Sequence, residues 1–404
     1  MVDSTSDKHK ILFISLYTEI GGGEVGLLNL LKNLDKSRFI PIVMFNKHGK
    51  LVEIIEKLGF EIAVVPFVTV MLQDCIKPGI FLKNFYASWK IKRFIDKNGI
   101  EIVQCNDVLS VLLLLPSMIF TRVKIVFNVI FFYERIRALL LNILSIFGIK
   151  YIVTLSSAVA MDLKKKTFGL SKKIKLVYWG VDTTIFYPRT NEGKQQLRKK
   201  LGLPIDKKLI GFVGRFELWK GHDTFLEAAG QLLRKRNDLY FVIVGGSMTE
   251  DVIPDIVLYR ERIFKRIDEL KLQNNLFLMG NRDDVSEIMA SLDVFVCPSD
   301  REPFGLVVLE ALASGIPAVI SSTVGAAEVL NGIENVFIAE PRNPTSFSER
   351  VIEALVLSET NMSGKQTQRL SDVLSQLTWD GCAKKYEQIY EDCLIRSRRI
   401  HVCG

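Results

Sequence analysis

Short apolar runs rich in Val, Ile and Phe recur along the chain, separated by longer segments whose apolar positions return every three or four residues. The first pattern predicts strands buried on both faces, and the second predicts amphipathic helices. In the first half the strands fall at Ile11–Leu16, Ile40–Phe45, Glu61–Val65, Glu101–Cys105, Lys124–Asn128, Tyr151–Thr154 and Lys175–Tyr178. The second half adds Leu209–Val213, Tyr240–Val244, Leu276–Met279, Asp293–Cys297, Pro317–Ile320 and Val336–Ile338. Strands alternating with helices predict parallel α/β sheets. So many strands exceed one ordinary open sheet, and two domains are expected. The break falls at 181–205, a polar stretch with turn residues and no strand period. The expected division is residues 1–180, a hinge or linker at 181–205 with a short helix, residues 206–378, and a closing helix and tail at 379–404.

Composition adds mainly exclusions. Of 404 residues, 48% are apolar and 24% charged, which rules out a disordered chain and leaves material for two cores. The longest nearly apolar stretch, Val108–Phe120, is too short to cross a bilayer as a helix. The first ten residues mix acids and bases and do not read as a secretory signal. Six cysteines (Cys75, Cys105, Cys297, Cys382, Cys393 and Cys403) form no C-x-x-C pair and no metal-like spacing with the histidines. A reduced, cytoplasmic compartment is the expectation.

Three segments carry candidate chemistry. After the first strand comes IGGGEVG, in which Gly21, Gly23 and Gly26 match G-x-G-x-x-G at a strand-to-helix turn. Such glycines let backbone amides approach phosphate, although a tight turn alone would use them too. A nicotinamide reading wants an acid after the second strand; Asn46, Lys47 and His48 stand there, leaving only an NADP variant through Lys47. In GFVGRFELWKGHD, Arg215 and Lys220 follow a strand and are placed to neutralise a diphosphate, the alternative being two surface cations. In DVFVCPSDREPFGLVVLEALASG, Glu302 lies in a loop and Glu310 within the following helix. The amides of Phe304, Gly305 and Leu306 would open that helix as an anion and hydroxyl site.

These segments together resemble the retaining glycosyltransferases of family 4, which have the GT-B fold. The resemblance rests on G-R-x-x-x-x-K-G, the Val244–Gly246 V-G-G, D-V-F-V-x-P-S, and E-P-F-G followed by E-A-x-A-x-G-x-P, with the GGGE turn and the Val181–Asp182 pair. It implies two Rossmann-like parallel α/β/α domains facing a cleft, with a C-terminal helix crossing back to the first. It implies that Arg215 and Lys220 bind the donor's diphosphate. Glu302 and the amides after it would hold the donor sugar, Glu310 the ribose, and the Asn281–Arg282 loop backbone the base. Gly22 and Gly23 would approach the phosphates from the other domain.

The chain departs from the family pattern twice. Asn106 stands where many relatives place a histidine near the donor sugar, and Trp179 precedes the hinge glycine where many have Asn. Both departures bear on acceptor geometry and sugar identity, and neither removes the diphosphate clamp. No D-x-D triplet occurs, so no metal–diphosphate site of that type is expected, and neither a metal nor another cofactor is required. The reaction implied is hexosyl transfer with retention from a UDP- or GDP-sugar to a glycan or lipid-linked acceptor in cell-surface polysaccharide or lipopolysaccharide synthesis. It would proceed by front-face attack with no protein nucleophile. Readings on the same scaffold are a sugar phosphorylase, a nucleotide-sugar epimerase, or a non-catalytic partner subunit. No nucleic-acid partner is expected.

Charge separates the halves. Residues 1–180 carry a net +11 and residues 181–404 a net −3. The first half also holds the apolar stretch Val123–Ile149, where Ile136, Leu139, Leu140, Ile143, Leu144 and Phe147 share a helical face. That face fits either a core helix or a docking surface for an anionic membrane, with the lysines of 164–166 and 172–175 attracted to headgroups.

Overall fold

A computed structural model describes residues 8–69, 77–121, 123–246, 254–359 and 364–401; Cys75 and Cys403 lie outside them. The chain forms two compact units, residues 1–178 with 379–404, and residues 179–378.

The first unit is built on seven parallel strands: β1 (His9–Ile14), β2 (Phe39–Phe45), β3 (Glu61–Val64), β4 (Ile102–Cys105), β5 (Lys124–Val129), β6 (Ile149–Thr154) and β7 (Ile174–Leu176), in the order β3-β2-β1-β4-β5-β6-β7. The second has six: β8 (Lys208–Val213), β9 (Leu239–Val244), β10 (Leu276–Leu278), β11 (Val294–Cys297), β12 (Ala318–Ser321) and β13 (Val336–Ala339), in the order β10-β9-β8-β11-β12-β13. Each predicted apolar run is a strand within a few residues of its expected ends. Both sheets reverse winding direction beside their first strand, at β1/β4 and β8/β11. In doubly wound sheets such switch points open at the carboxyl ends of the strands, where ligands bind. Strand side chains such as Leu12, Val103 and Phe127 in the first unit, and Phe212, Phe241 and Val296 in the second, are sealed between helical layers.

The C-terminal helix Trp379–His401 belongs to the first unit. Its Glu387 carboxylate accepts the Asp35 amide at 2.8 Å, its Tyr386 hydroxyl donates to Asn128 Oδ1 at 3.2 Å, and Tyr390 donates to Gln104.

The stretch 181–205, read from the sequence as a hinge or linker with a short helix, falls within the second unit. Val181 pairs with Thr378, and its amide donates to the Leu377 carbonyl at 2.9 Å. The helix Asn191–Leu201, capped by the Thr190 hydroxyl, buries Arg198. Arg198 Nη2 donates to Asp293 Oδ2 at 2.7 Å, its Nε to the Ser291 carbonyl at 2.9 Å, and its Nη1 to the Lys207 carbonyl at 2.8 Å. Lys194 reaches the other Asp293 oxygen at 2.7 Å. Desolvation alone would raise the Asp293 pKa, but the charges of Lys194 and Arg198 outweigh it and hold the carboxyl below its ordinary value.

The stretch 123–149 resolves into β5, the helix Arg135–Leu144 and the start of β6. Ala138, Leu141 and Leu144 face the core, whereas Ile136, Leu139 and Ile143 are exposed, as is Phe147 beyond the helix end. The helix is apolar on both sides, so Leu144 leaves the predicted face and the rest of that face points to solvent, apart from Leu140, which packs partly against the core.

Replacing Arg198 by Met should destabilise the fold by about 3 kcal/mol or more, because it leaves a buried carboxylate short of one of its two cationic partners. Chemical denaturation at pH 7 measures this. Wild-type stability should also fall as the medium is acidified through the lowered Asp293 pKa, since the folded state then has to protonate a group it prefers ionised.

Candidate active site

The candidate site of the second unit forms where the loops after β8, β9, β10 and β11 are laced together. The Gly214 amide donates to the Val244 carbonyl at 2.9 Å, and the Gly245 amide to the Gly280 carbonyl at 2.8 Å. Asn281 Oδ1 accepts the Gly246 amide at 2.7 Å. The Asp300 amide donates to the Trp219 carbonyl at 2.8 Å, tying the β8 loop to the β11 loop. Gly221 lies between these loops at φ +81°, and a Cβ there would collide with the Pro298 carbonyl. Both the left-handed backbone and the close approach demand glycine.

Within this lacing Lys220 meets Glu302. Lys220 Nζ donates to Glu302 Oε2 at 2.7 Å, with the two side chains only 15% and 11% exposed. The Ser299 hydroxyl donates to the same oxygen at 3.3 Å, and Nζ lies 4.1 Å from the Trp219 ring centre. Glu302 is braced from the other side: its backbone bridges Val324, and its carbonyl accepts the Gly325 amide at 2.9 Å. The Phe304 carbonyl accepts the Ala326 amide at 2.7 Å, and Phe304 is buried. Gly305, at φ +97°, then turns the chain into the helix Leu306–Ala313; a Cβ there would lie 2.8 Å from Val324 Cγ1. In its first turn the Val308 amide donates to the Gly305 carbonyl at 3.0 Å, while the amides that open a helix have no carbonyl a full turn earlier to meet.

Arg215 is paired with Glu217 at 3.1 Å and is about one-third exposed. Glu310, at the fifth position of the helix, has no hydrogen-bond or ion-pair partner for its carboxyl among the described residues. It retains partial exposure, yet desolvation pushes its pKa up to about 7. The Asn281 side chain is spent on bracing, and the Arg282 guanidinium grips Asp284 through two bonds of 2.7 and 2.6 Å.

Gly22, Gly23 and Asn106 are in the first unit. Glu24 closes the glycine turn by accepting the Gly21 amide at 3.1 Å. Space beside Gly22 is open, whereas a Cβ at Gly23 would lie 2.9 Å from Ile130 Cδ1. Asn106 Oδ1 accepts from Asn128 Nδ2 at 2.9 Å, whose own Oδ1 accepts from the Tyr386 hydroxyl, so Asn106 ends an amide ladder rooted in Tyr386.

Two family profiles match the chain, "Glycosyltransferase Family 4" over residues 20–185 and "Glycosyl transferases group 1" over 193–370. An uncharacterised glycosyltransferase of Methanocaldococcus jannaschii is 28% identical over 261 residues, 61% of this chain and 63% of the relative. Spore coat protein SA of Bacillus subtilis is 29% identical over 251 residues, 60% and 65% of the respective chains. The match thus spans under two thirds of these relatives' length. Among solved structures, Anabaena HepE in complex with UDP-glucose superposes with a TM-score of 0.80 at 18% identity, covering 95% of this chain and 99% of that one. The fold is GT-B. The chain belongs to glycosyltransferase family 4.

For a family 4 chain, several site neighbours escape sequence reading. Ser299 shares the carboxylate of Glu302 and sits inside a quoted motif, yet a lone serine gives no signal. Glu217 was masked by its exposed sequence context; one carboxylate oxygen pairs with Arg215 and the other is buried without a hydrogen bond. His222 is fully buried, stacked on Phe216 at 4.6 Å, with Nδ1 3.4 Å from the Tyr259 hydroxyl. Burial, and next the Lys220 charge, drive its pKa down to about 3, so it is a neutral packing element beneath the cation. Among the described residues no cluster of three metal-ligating side chains forms.

The raised Glu310 pKa has a thermodynamic signature. The folded state binds this proton more tightly than the unfolded chain, so the associated stability is fully present below the unfolded pKa of about 4.5 and is lost as pH rises through about 7. Glu310→Gln should therefore unfold at a higher temperature than the wild type at pH 8, with the difference vanishing near pH 4. Melting curves across that range, without ligand, measure it.

Proposed function

We propose that this chain transfers a hexosyl group from a nucleoside-diphosphate sugar to a glycan or lipid-linked acceptor, with retention of configuration and without a divalent metal. The observation that carries the reading is the Lys220–Glu302 pair held 2.7 Å apart beside a helix amino terminus, at the carboxyl end of β8 and β11 with Arg215 on the same loop. In this reading the bond between the anomeric carbon and the diphosphate oxygen breaks, and its electron pair stays on the departing nucleoside diphosphate. Arg215 and Lys220 neutralise that charge from positions fixed before the donor arrives, so little reorganisation opposes the step. The acceptor hydroxyl forms the new bond on the face the diphosphate leaves, and its proton passes to a phosphate oxygen. Glu302 and the amides of Phe304, Gly305 and Leu306 orient the sugar hydroxyls, and Glu310 accepts from the ribose. The similarity to a fold solved with UDP-glucose supports a uridine donor as the first to try. Asn106 takes part on the sugar and acceptor side. Cell-surface polysaccharide or lipopolysaccharide synthesis is the setting this acceptor class suggests, in a reducing cytoplasm that suits the buried free thiols of Cys105, Cys297, Cys382 and Cys393.

The test is a melting-temperature screen against UDP-, GDP- and ADP-sugars, followed by turnover of the stabilising donor. A donor that stabilises the wild type and is converted to nucleoside diphosphate and glycoside is the expected result. Sugar phosphate formed with inorganic phosphate, or sugar interconversion without acceptor, would instead assign a phosphorylase or an epimerase.

Arg215→Ala should lower turnover by about 100-fold or more, the scale for removing one preorganised charge stabiliser. Because Arg215 is partly exposed, its loss leaves the Lys220–Glu302 pair intact; a folded Arg215→Ala protein with wild-type turnover would remove it from the clamp. Turnover should persist in EDTA, since Lys220 and Arg215 supply the positive charge. Loss of activity in chelator that magnesium or manganese restores would overturn the metal-independent mechanism.

A further inference from the structure

The helix Pro78–Asn98 of the first unit turns a row of large side chains outward. Phe81, Leu82, Phe85 and Tyr86 are each more than half exposed, and Trp89 about one third. The opposite side of the same helix, Ala87, Ile91 and Ile95, is buried in the core. The outward rings are ordered among themselves: Phe81 stacks on Phe85 at 6.2 Å, Phe85 meets Trp89 edge-on at 6.4 Å, and Trp89 stacks on Phe120 at 5.7 Å. The apolar surface does not stop there. Met118 packs beside Gly148, which brings exposed Ile119 and Phe120 near exposed Ile146 and Phe147 at the amino ends of the adjacent strands β5 and β6. Right-handed crossovers put the helices before β4, β5 and β6 on one side of the sheet, so these residues belong to one layer.

Charge says what covers this layer. Lys83, Lys90, Arg93 and Lys97 are exposed on the rim of the Pro78–Asn98 helix, and Lys90 Nζ lies 4.6 Å from the Tyr86 ring centre. The one acid of the helix, Asp96, is paired with Lys92 at 2.6 Å. Lys164 and Lys165 add exposed cations on a helix of the same layer. A second copy of this chain would bring the same cations against themselves, which disfavours self-association. A convex strip of aromatic rings edged by long basic side chains instead fits the boundary between acyl chains and anionic headgroups, the rings entering it and the lysines reaching back to phosphate.

We propose that this face of the first unit docks on an anionic lipid bilayer, with Phe81, Phe85, Tyr86 and Trp89 as its apolar anchor and the helix's own lysines and arginine as its electrostatic rim. The inference deepens the reading of a lipid-linked acceptor and rests on it for its biological sense, but its physical content is independent of catalysis. No helix among the described residues is long and apolar enough to cross a membrane, so the attachment proposed is interfacial.

Flotation of the full chain tests it, with vesicles of phosphatidylcholine alone or mixed with phosphatidylglycerol, at low and high salt. The wild type should float with the anionic vesicles at low salt and lose at least tenfold in bound fraction at high salt or with neutral vesicles. Phe81→Ser/Phe85→Ser/Tyr86→Ser should cut binding at least tenfold, as should Lys83→Ser/Lys90→Ser/Arg93→Ser. All substituted side chains are exposed, and an unchanged melting curve, with the wild-type response to UDP-glucose, verifies that the variants are folded. Trp89 emission should shift to the blue on anionic vesicles. A wild type that stays at the bottom of the gradient at low salt, or an aromatic variant that floats like the wild type, overturns the proposal. Self-association abolished by the aromatic substitutions, without vesicle binding, overturns it in favour of a second copy. A chain that floats yet glycosylates only soluble acceptors upholds the docking face and removes the lipid-linked acceptor.

Discussion

The ion pair between Lys220 and Glu302 is the constraint around which the second unit's loops are arranged. Its partners come from strands adjacent in the sheet but 82 residues apart in the chain. For Nζ to reach the carboxylate, the β8 loop has to pass beneath the Pro298 carbonyl, which only Gly221 permits, and the β11 loop has to be pinned by the Val324–Ala326 turn. Desolvating two charges costs roughly what their attraction returns, so such a pair adds little net stability. What it secures is position: a cation already stripped of most of its water, fixed beside the start of the Leu306–Ala313 helix. An anion arriving there meets charge that does not have to be dehydrated or reoriented.

Two other carboxyls show how the same burial physics separates framework from site. Asp293 is answered by Lys194, Arg198 and the Leu209 amide, and it stays ionised below its usual pKa. Glu310 is desolvated without such answers and is pushed up toward neutrality. A structural acid satisfied by its own chain has nothing left for a ligand. An acid whose hydrogen-bonding capacity is unspent carries a cost in the empty protein, of the kind that binding a hydroxylated ligand can offset.

The strands were legible because a strand buried on both faces has to be apolar almost throughout, as in FVIV of β9 or VFVC of β11. The glycine-bearing loops were legible because close backbone approach restricts positions such as Gly221 to one residue type. The burial of Arg198 within the polar stretch 181–205 was not, because a charged residue in a helix reads as solvent-facing until its partner is known, and Asp293 lies 95 residues away. The Lys220–Glu302 contact was hidden for the same reason; motif spacing placed both at a ligand but not on each other. Periodicity also failed on Arg135–Leu144, where both faces are apolar and nothing local says which one the sheet covers. It passed over the Pro78–Asn98 helix, whose exposed aromatics carry the same sequence signal as a core face.

Net charge and local field diverge in this molecule, so composition alone says little about where a cation is placed to act on an anion. Residues 181–404 are net negative, yet they hold Arg215, Lys220 and the open amino terminus of the Leu306–Ala313 helix. Surface acids spread over a unit are screened within about 10 Å at ordinary ionic strength, whereas partly buried cations act on a ligand at contact. The surplus of the first half is of the other kind. Lys83, Lys90, Arg93 and Lys97 are exposed at intervals of about one to two helical turns, too hydrated to specify a small ligand but suited to a broad anionic plane. One sign of charge therefore sits in two physical settings, and burial, rather than count, separates them.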